Sequence, residues 1–481
     1  MVQLVRRLDR TRAHAIGVLV KSAEWAVGRP FLHRFLLKLV QNRLRASYNS
    51  FEKDPHLLTD LNWLGQHLDT FMERLMAERP AAARAIIRFL GTWLEDMHRR
   101  NVDFADRPVT PVTVVIEPTD RCNLNCPGCY SKSTEDGVNI PYERLVEIVE
   151  QTIDMGVTMI TLSGGEPFLR EREEQAITRL ARRFNDRGFV VFTNGTLIGR
   201  NEAERLAEVG NVFPAISVEG TEHHTDARRG HGIYAANRTT RKFLAETGVM
   251  TGFSATVTSK NIDAITDDEF IELRIREGDL FGWFFLLQPI GRSPRLDLMV
   301  NAEQRARLRM AIDRWRDEHR PIFLGDFWND GHLSGGCIAG GTNYFHIYAN
   351  GDISPCVFSP LACGNIFDII EGNSEYANLA DFVHRNPVFT AFRDEQRKIT
   401  DRTRPCLLVD NPQAFRRVCR TDGWWPAKNM PDGYIDGEIA HFLDRYAAEW
   451  QQKADRLPPL ACRREQNETL KQENQARHAT A

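Results

Sequence analysis

EPTDRCNLNCPGCY, residues 117–130, carries Cys122, Cys126 and Cys129 in a C-x3-C-x2-C spacing on one short segment. Thiolates are soft ligands that suit iron–sulfur clusters or zinc, and three of them on one loop can reach a single metal centre. A structural zinc site asks for a fourth protein ligand, whereas a four-iron cluster held by three cysteines keeps one iron open. The apolar run at 112–116 just upstream reads as a buried strand. The thiols therefore sit on the loop at that strand's C-terminal end, where α/β folds place their chemistry. A zinc knuckle, or three unrelated thiols, are the plainer alternatives.

From Pro111 onward the pattern alternates strand and helix. Strands are read at 112–117, 159–163, 189–193, 213–218, 252–258 and 283–288, with helices at 142–155, 172–187 and 201–209 between them. Six strands in such alternation imply parallel βα units, arranged as an open doubly wound layer or as an incomplete barrel. The second strand runs into Ser163-Gly164-Gly165-Glu166-Pro167. Two glycines let backbone approach a ligand closely, and the carboxylate can accept from an ammonium group. Read alone, the same residues make a glycine turn followed by a helix-start proline.

The cysteine loop followed one βα unit later by this GGEP segment resembles the radical S-adenosylmethionine (SAM) superfamily. The resemblance implies an α/β fold, a partial (β/α)6 TIM barrel over 109–325 with its active site at the strand C-termini. It implies a [4Fe-4S] cluster on Cys122, Cys126 and Cys129, and SAM held through its amino group by Gly164, Gly165, Glu166 and Pro167. Ser217 and Glu219 fall near the ribose and methionine portion, and Thr256 and Leu287 toward the adenine. Asn194 joins this set by position, and is equally a turn residue in Asn194-Gly195. Two departures stand out: Gly128 occupies a position that is usually aromatic, with Tyr130 just beyond, and Glu219 stands where many relatives have Asp. His223, His224, His231, Arg228 and Arg229 read as substrate-side or solvent-exposed polar residues of the loop after the fourth strand, without metal-ligand spacing. Phe284, Phe285 and Leu286 suit a shielded barrel interior, although alternating side chains cannot all face inward.

Further on, Cys337 and Cys356 form a C-x13-G-x4-C pattern around Asn350-Gly351. Asn-Gly between the strand-like runs 344–348 and 352–357 signals a hairpin, which brings its two ends together. The pattern resembles the SPASM/twitch extensions, which hold auxiliary iron–sulfur clusters. An α+β cluster-binding region over 326–454 is implied, with a second [4Fe-4S] cluster on Cys337, Cys356 and Cys406 and with Cys363 as fourth ligand. Cys419 lies on a helix and Cys462 in a tail, 455–481, whose polar composition reads as disordered. Buried structural thiols are the alternative for this group.

Residues 1–108 read as helices, with apolar stripes at Leu32, Phe35, Leu36 and Leu39, at Leu61, Leu64, Leu68, Phe71 and Leu75, and at Ile86, Phe89, Leu90, Trp93 and Met97. Within residues 1–50 ten Lys or Arg face only Asp9 and Glu24, so this start is either the solvated face of a helical cap or a peripheral membrane contact. The whole chain has a formal net charge of −3, which leaves no nucleic-acid footprint. Nine cysteines, an odd number with three clustered, favour a reducing compartment over a disulfide framework. With no long apolar run and no secretory pattern at the start, a cytoplasmic protein is expected.

Taken together, the reading is an enzyme that takes an electron from an external donor of flavodoxin or ferredoxin type. It cleaves SAM reductively to a 5′-deoxyadenosyl radical and modifies an unactivated C–H position of a peptide or lipid/isoprenoid substrate. A non-catalytic iron–sulfur electron carrier or a zinc-stabilised binding protein is the alternative, but neither has a use for GGEP.

Overall fold

Seven segments rich in Val, Ile, Phe and Thr form parallel strands in a computed structural model that describes residues 70–88 and 111–457. They are β1 (Thr113–Thr119), β2 (Met159–Gly164), β3 (Gly188–Thr193), β4 (Val212–Ser217), β5 (Thr251–Val257), β6 (Asp279–Leu286) and β7 (Phe323–Asp326). The strands pair in sequence order from β1 to β7, and every pair is parallel. A doubly wound layer needs a point at which strand order reverses, and this sheet has none. Crossovers that all step the same way and share one hand put the helices on one face. The sheet is therefore an incomplete barrel with a concave inner face.

The first six strands are those read from the sequence, with ends shifted by a few residues. The seventh, Phe-Leu-Gly-Asp, is too short to show a period. Its glycine has a packing reason: a Cβ on Gly325 would come within 2.5 Å of the Trp283 ring on the neighbouring strand. Alternation along β6 sorts the aromatic run as pleating requires. Phe284 is fully buried toward the helices against Phe253, Phe270 and Trp315, while Phe285 faces inward against Phe192 and Phe327.

Helix Tyr142–Met155 matches its expected span. The helix expected over 172–187 is two helices, Pro167–Glu174 and Ala176–Arg183, because Gln175 turns left-handed at φ +57°. The buried Glu171 carboxylate accepts from Thr178 N and Oγ1 at 3.0 Å each and stabilises that break. The segment after β4 that carries His223, His224 and the paired arginines is not a loop but helix Glu222–Arg229, with His231 in the turn beyond it.

The expected hairpin is present as β8 (His346–Ile347) and β9 (Ile353–Ser354), turning at Gly351 with φ +88°. Its first strand also pairs in parallel with β1, Val115 opposite His346 and Ile116 opposite Ile347. The C-terminal region thus extends the core sheet past β1 and is not a separate layer. A small antiparallel pair, β10 (Leu361–Ala362) with β11 (Trp425–Pro426), completes the strands.

Helical segments 70–78 and 80–88 form a floor at the strand N-termini. Phe71, Leu75, Ala82, Ala83 and Ile87 are buried together with Phe213, Met250, Leu280 and Phe281. Arg74 fastens this floor by donating to Asp279 O (2.9 Å), Pro321 O (2.8 Å) and Ile275 O (3.0 Å), and Arg79 Nε donates to Val249 O (3.2 Å). Of the three apolar stripes read in this region, the described part, including Phe71 and Leu75, packs as a helical cap. The basic start at 1–50 and the tail from 458 lie outside the described residues. Among the described residues, no helix is long and apolar enough to cross a membrane.

Leu75 has no exposed surface, so Leu75→Ala is expected to lower stability by about 2–4 kcal/mol through lost burial and a cavity. Urea unfolding followed by circular dichroism checks this; an unchanged midpoint would mean the floor is not docked.

Candidate cluster and cofactor site

The cysteine loop is almost entirely irregular, so its neighbours must position it. Gly165 N donates to Thr119 O (3.0 Å), Glu166 N to Arg121 O (2.8 Å), Cys122 N to Thr134 O (2.8 Å) and Arg292 N to Cys129 O (2.9 Å). Two of these neighbours approach too closely for a side chain. A Cβ on Gly165 would lie 2.0 Å from Arg121 O, and one on Gly291 would lie 2.1 Å from Cys129 O. The double glycine of GGEP therefore has a local reason of its own: it lets the second βα loop lie flat against the first.

Cys122, Cys126 and Cys129 all front one cavity of about 830 Å³ at the strand C-termini. Burial, followed by the charge of Glu166, pushes the Cys122 thiol up to about 12. Gly164, Gly165, Glu166, Asn194, Ser217, Thr256 and Leu287 line the same cavity, so seven of the nine residues read for SAM come together. The exceptions are Pro167 and Glu219. Pro167 opens helix Pro167–Glu174, for which Glu166 is the N-cap, and takes no part in the wall.

Glu219 has no exposed surface and lies behind the wall, paired with Arg228 (2.7 Å) and Arg229 (2.6 Å). Burial works to raise its carboxyl, but the two guanidinium groups outweigh that and hold it below the usual range. Those arginines face the cavity instead. Burial lowers and Glu219 raises the Arg229 pKa, with Cys126 and Cys129 adding to a net rise. Sequence reading had left both arginines as substrate-side or solvent-exposed polar residues, and their place is on the cavity side. The available signal was two adjacent cations nine and ten residues after a buried acid.

Glu166 is buried and accepts from Thr193 Oγ1 (2.7 Å), Asn194 N (2.7 Å) and Phe168 N (3.1 Å). Burial still raises its pKa against these donors. Asn194 is both turn and wall residue: its Oδ1 accepts from Thr196 N (3.0 Å), and its Nδ2 donates to Asn123 Oδ1 on the cysteine loop (2.9 Å). Gly128 has φ +65°, a left-handed backbone that side chains rarely adopt, and a Cβ there would press on Leu287 Cδ1 at 3.1 Å. Tyr130 turns to the wall, its hydroxyl 2.6 Å from Ser163 Oγ and its ring 5.7 Å from that of Phe358.

Cys337 lines the far side of the same cavity. Cys356 sits behind it with Tyr344 Oη at 2.8 Å, and burial, reinforced by Cys337, pushes its thiol up to about 12. Cys406 is raised well above its ordinary value by burial, then by Asp410, Cys337 and Cys356. These three thiols therefore share one neighbourhood. Asp410, which accepts from Cys406 N (3.1 Å), is held by the buried Arg305 at 2.5 Å. Cys363 does not join them: it is buried on the hairpin side, where its Sγ contacts Ile353 O at 3.6 Å and its charged neighbour is Asp352. Spacing alone cannot show this, because the chain turns at 355–358 and runs back along β9, with Cys363 N donating to Ile353 O (2.9 Å) and Ile353 N to Gly364 O (2.8 Å). Cys419 caps helix Pro412–Val418, and Cys462 lies outside the described residues.

One ion-pair network ties the C-terminal region to the loop. Glu117, fully buried at the end of β1, contacts Lys428 Nζ at 2.9 Å and His346 Nε2 at 3.3 Å, and Lys428 also reaches Asp120 at 3.3 Å. Burial would raise the Glu117 carboxyl, but Lys428 and His346 overcome it and bring it down to about 2.

Against known proteins, residues 116–273 match the family model described as the Radical SAM superfamily. The chain is 26% identical over 272 residues to the sporulation killing factor maturation protein SkfB of Bacillus subtilis (strain 168), covering 54% of this chain and 63% of that protein. It is 29% identical over 231 residues to Fe-coproporphyrin III synthase of Methanosarcina barkeri (strain Fusaro / DSM 804), covering 46% and 56%. Both matches span less than two thirds of those relatives. Among solved structures, native anSMEcpe with bound AdoMet and Cp18Cys peptide superposes with a TM-score of 0.51 at 19% identity, over 74% of this chain and 99% of that one. That likeness shows the fold.

Lys428→Met leaves a buried carboxylate without its strongest partner, so a loss of about 3 kcal/mol is expected at pH 7. Glu117 titrates near 4.5 when unfolded and near 2 when folded. Its contribution is complete above pH 4.5 and disappears as pH falls through about 2. Urea unfolding across this range should therefore show wild type and variant converging in acid; a pH-independent gap would contradict the assignment.

Proposed function

We propose that the chain, whose residues 116–273 match the Radical SAM superfamily model, reductively cleaves SAM at a cluster on Cys122, Cys126 and Cys129 to modify an unactivated C–H bond. The observation that carries this reading is the common wall: three thiols of one loop and the GGEP backbone pinned to it front a single cavity. Three soft ligands on one loop are the donor set such a cluster asks for, although among the described residues no three His, Cys, Asp or Glu side chains converge as a metal site. Bound there, the cluster and SAM supply one-electron cleavage of the sulfonium and hydrogen abstraction from substrate.

The chain's own residues orient and shield. Gly164 and Gly165 offer close-approach backbone, and Glu166 offers a carboxylate to an ammonium group. Arg228 and Arg229 place positive charge beside an anionic cluster or a ligand carboxylate, with Glu219 behind them fixing their orientation. Ser217, Asn194, Thr256 and Leu287 complete the wall. The aromatic interior keeps water from a reactive intermediate. An external donor of flavodoxin or ferredoxin type supplies the electron.

Cys337, Cys356 and Cys406 are proposed to hold an auxiliary [4Fe-4S] cluster, without Cys363. Peptide and lipid or isoprenoid substrates both fall within this class of reaction. The proposed division is a helical 1–108, a core at 109–325 and an auxiliary region at 326–454, with any membrane contact residing in 1–50.

Anaerobically reconstituted, reduced protein should convert SAM to 5′-deoxyadenosine and methionine, and Cys126→Ala should lower this at least 100-fold by chromatographic assay. Wild type that binds SAM with a full cluster and never cleaves it, even with cell extract as substrate source, would sink the reading. Iron analysis addresses the second cluster: two four-iron clusters correspond to ~8 iron per chain. The Cys122/Cys126/Cys129→Ala triple variant should keep roughly half of that. A folded triple variant without iron would leave Cys337, Cys356 and Cys406 as packing thiols.

A further inference from the structure

The cavity divides by chemistry. Its charged groups gather at the cysteine loop: Glu166 acts on Cys122, and Arg229 on Cys126 and Cys129. The side toward β6, β7 and the hairpin is a continuous aromatic wall. Phe285 packs on Phe192 (5.6 Å), Phe327 (5.3 Å) and Phe358 (6.1 Å), and Trp283 on Phe323 (6.3 Å). Among the described residues that line this side, none is Lys, Arg, Asp or Glu. Phe192, Trp283, Phe285, Phe323 and Phe327 remain only half-buried although they stand inside the barrel, because their free faces front the cavity. Apolar surface left in this state favours an apolar occupant.

Several polar atoms on this side are already engaged by the protein, while Asn343 and Gln288 also line the cavity and the buried Gln288 Oε1 has no partner among the described residues. Thr113 Oγ1 pairs with Thr161 Oγ1 (2.9 Å), Thr342 Oγ1 with Gln396 (3.2 Å), Tyr344 Oη with Cys356 Sγ (2.8 Å) and His332 Nδ1 with Asn329 O (3.2 Å). A peptide brings one N–H and one C=O per residue, and each of these left unpaired when buried is costly. A tetrapyrrole with acidic side chains would ask for cations, and the two arginines of the cavity are committed to Glu219 at the other end. The cavity reaches solvent at Ser334, which is exposed, and half-buried Leu333 and Ile338 flank that opening. The two large side chains at the entrance are thus apolar, with His332 and Ser334 beside them.

Resting on the radical SAM reading, we infer that the substrate inserts a hydrocarbon chain, acyl or polyprenyl, between Leu333 and Ile338. The chain lies along the Phe285–Phe327–Phe358 wall, leaving its head group outside and directing a C–H toward the cysteine loop.

The test uses the full-length reconstituted protein without detergent. 9,10-Dibromostearate quenches indole emission at short range, so it should remove a saturable part of the tryptophan fluorescence, most of which disappears in Trp283→Phe. Stearate and geranylgeraniol should displace it, and their relative potency identifies the acyl or the polyprenyl source. Ile338→Asp, or Leu333→Asp if the former misfolds by circular dichroism, should weaken binding at least 10-fold. Quenching that is absent, or unaltered by Trp283→Phe and by the Asp variant, overturns the proposal. So does displacement by a seven-residue apolar peptide at lower concentration than stearate. SAM cleavage is measured separately in the wild type, so failure of the chemistry and failure of chain binding are read independently.

Discussion

A loop that carries three metal-ligating thiols and has almost no regular structure can hold a geometry only if other backbone holds it. In this protein the constraint is met by close backbone contact. Arg121 O and Cys129 O, near the two ends of the thiol run, are pressed by Gly165 and Gly291, with clearances of 2.0 and 2.1 Å for a hypothetical Cβ. Neither position tolerates a side chain without moving the loop. The consequence reaches beyond the loop, because Gly165 lies at the end of β2 and Gly291 follows β6. Two strands far apart in the sheet thus clamp one segment, and curvature of the sheet is what brings them to it. The barrel is the means by which the thiols are positioned.

The same logic explains why the C-terminal region is continuous with the core. β8 adds to β1 directly before the loop, and Lys428 reaches back to Glu117 and Asp120, five and two residues before Cys122. A buried carboxylate would repel ionisation if left alone, and a buried ammonium likewise; together they are stable only when the C-terminal segment is docked. Loss of that docking would release the base of the cysteine loop. The proposed boundary at 325/326 therefore separates two regions in sequence but crosses one sheet in space. The helices at 70–88 close the opposite end, where Phe71 packs at 6.1 Å on Phe323, itself a residue of the cavity wall.

Much of this was legible in the residues. Three thiols at one spacing, a GGEP segment and six alternating units located the barrel, the cavity and seven of its lining residues. What escaped has a common cause: the sequence reports period and spacing, whereas these features depend on tertiary direction. β7 was missed because four residues with a glycine have no period. Glu219 was expected beside SAM from the family resemblance alone, yet its carboxylate turns behind the wall to meet Arg228 and Arg229, which line the cavity instead. Cys363 is near Cys356 in sequence and far from the thiol group in space, because the chain reverses along β9. The split of one expected helix into two rests on a single left-handed Gln175, a conformation that composition does not announce.

The central claim is that the cysteine loop and the GGEP loop build one site in which SAM meets a cluster. Electron paramagnetic resonance of the reduced, reconstituted protein, with and without SAM, tests it most directly. The account predicts that SAM alters the g-values of a cluster signal that is missing from Cys126→Ala, because SAM binds the iron that no cysteine holds. Spectra that superimpose with and without saturating SAM would contradict it.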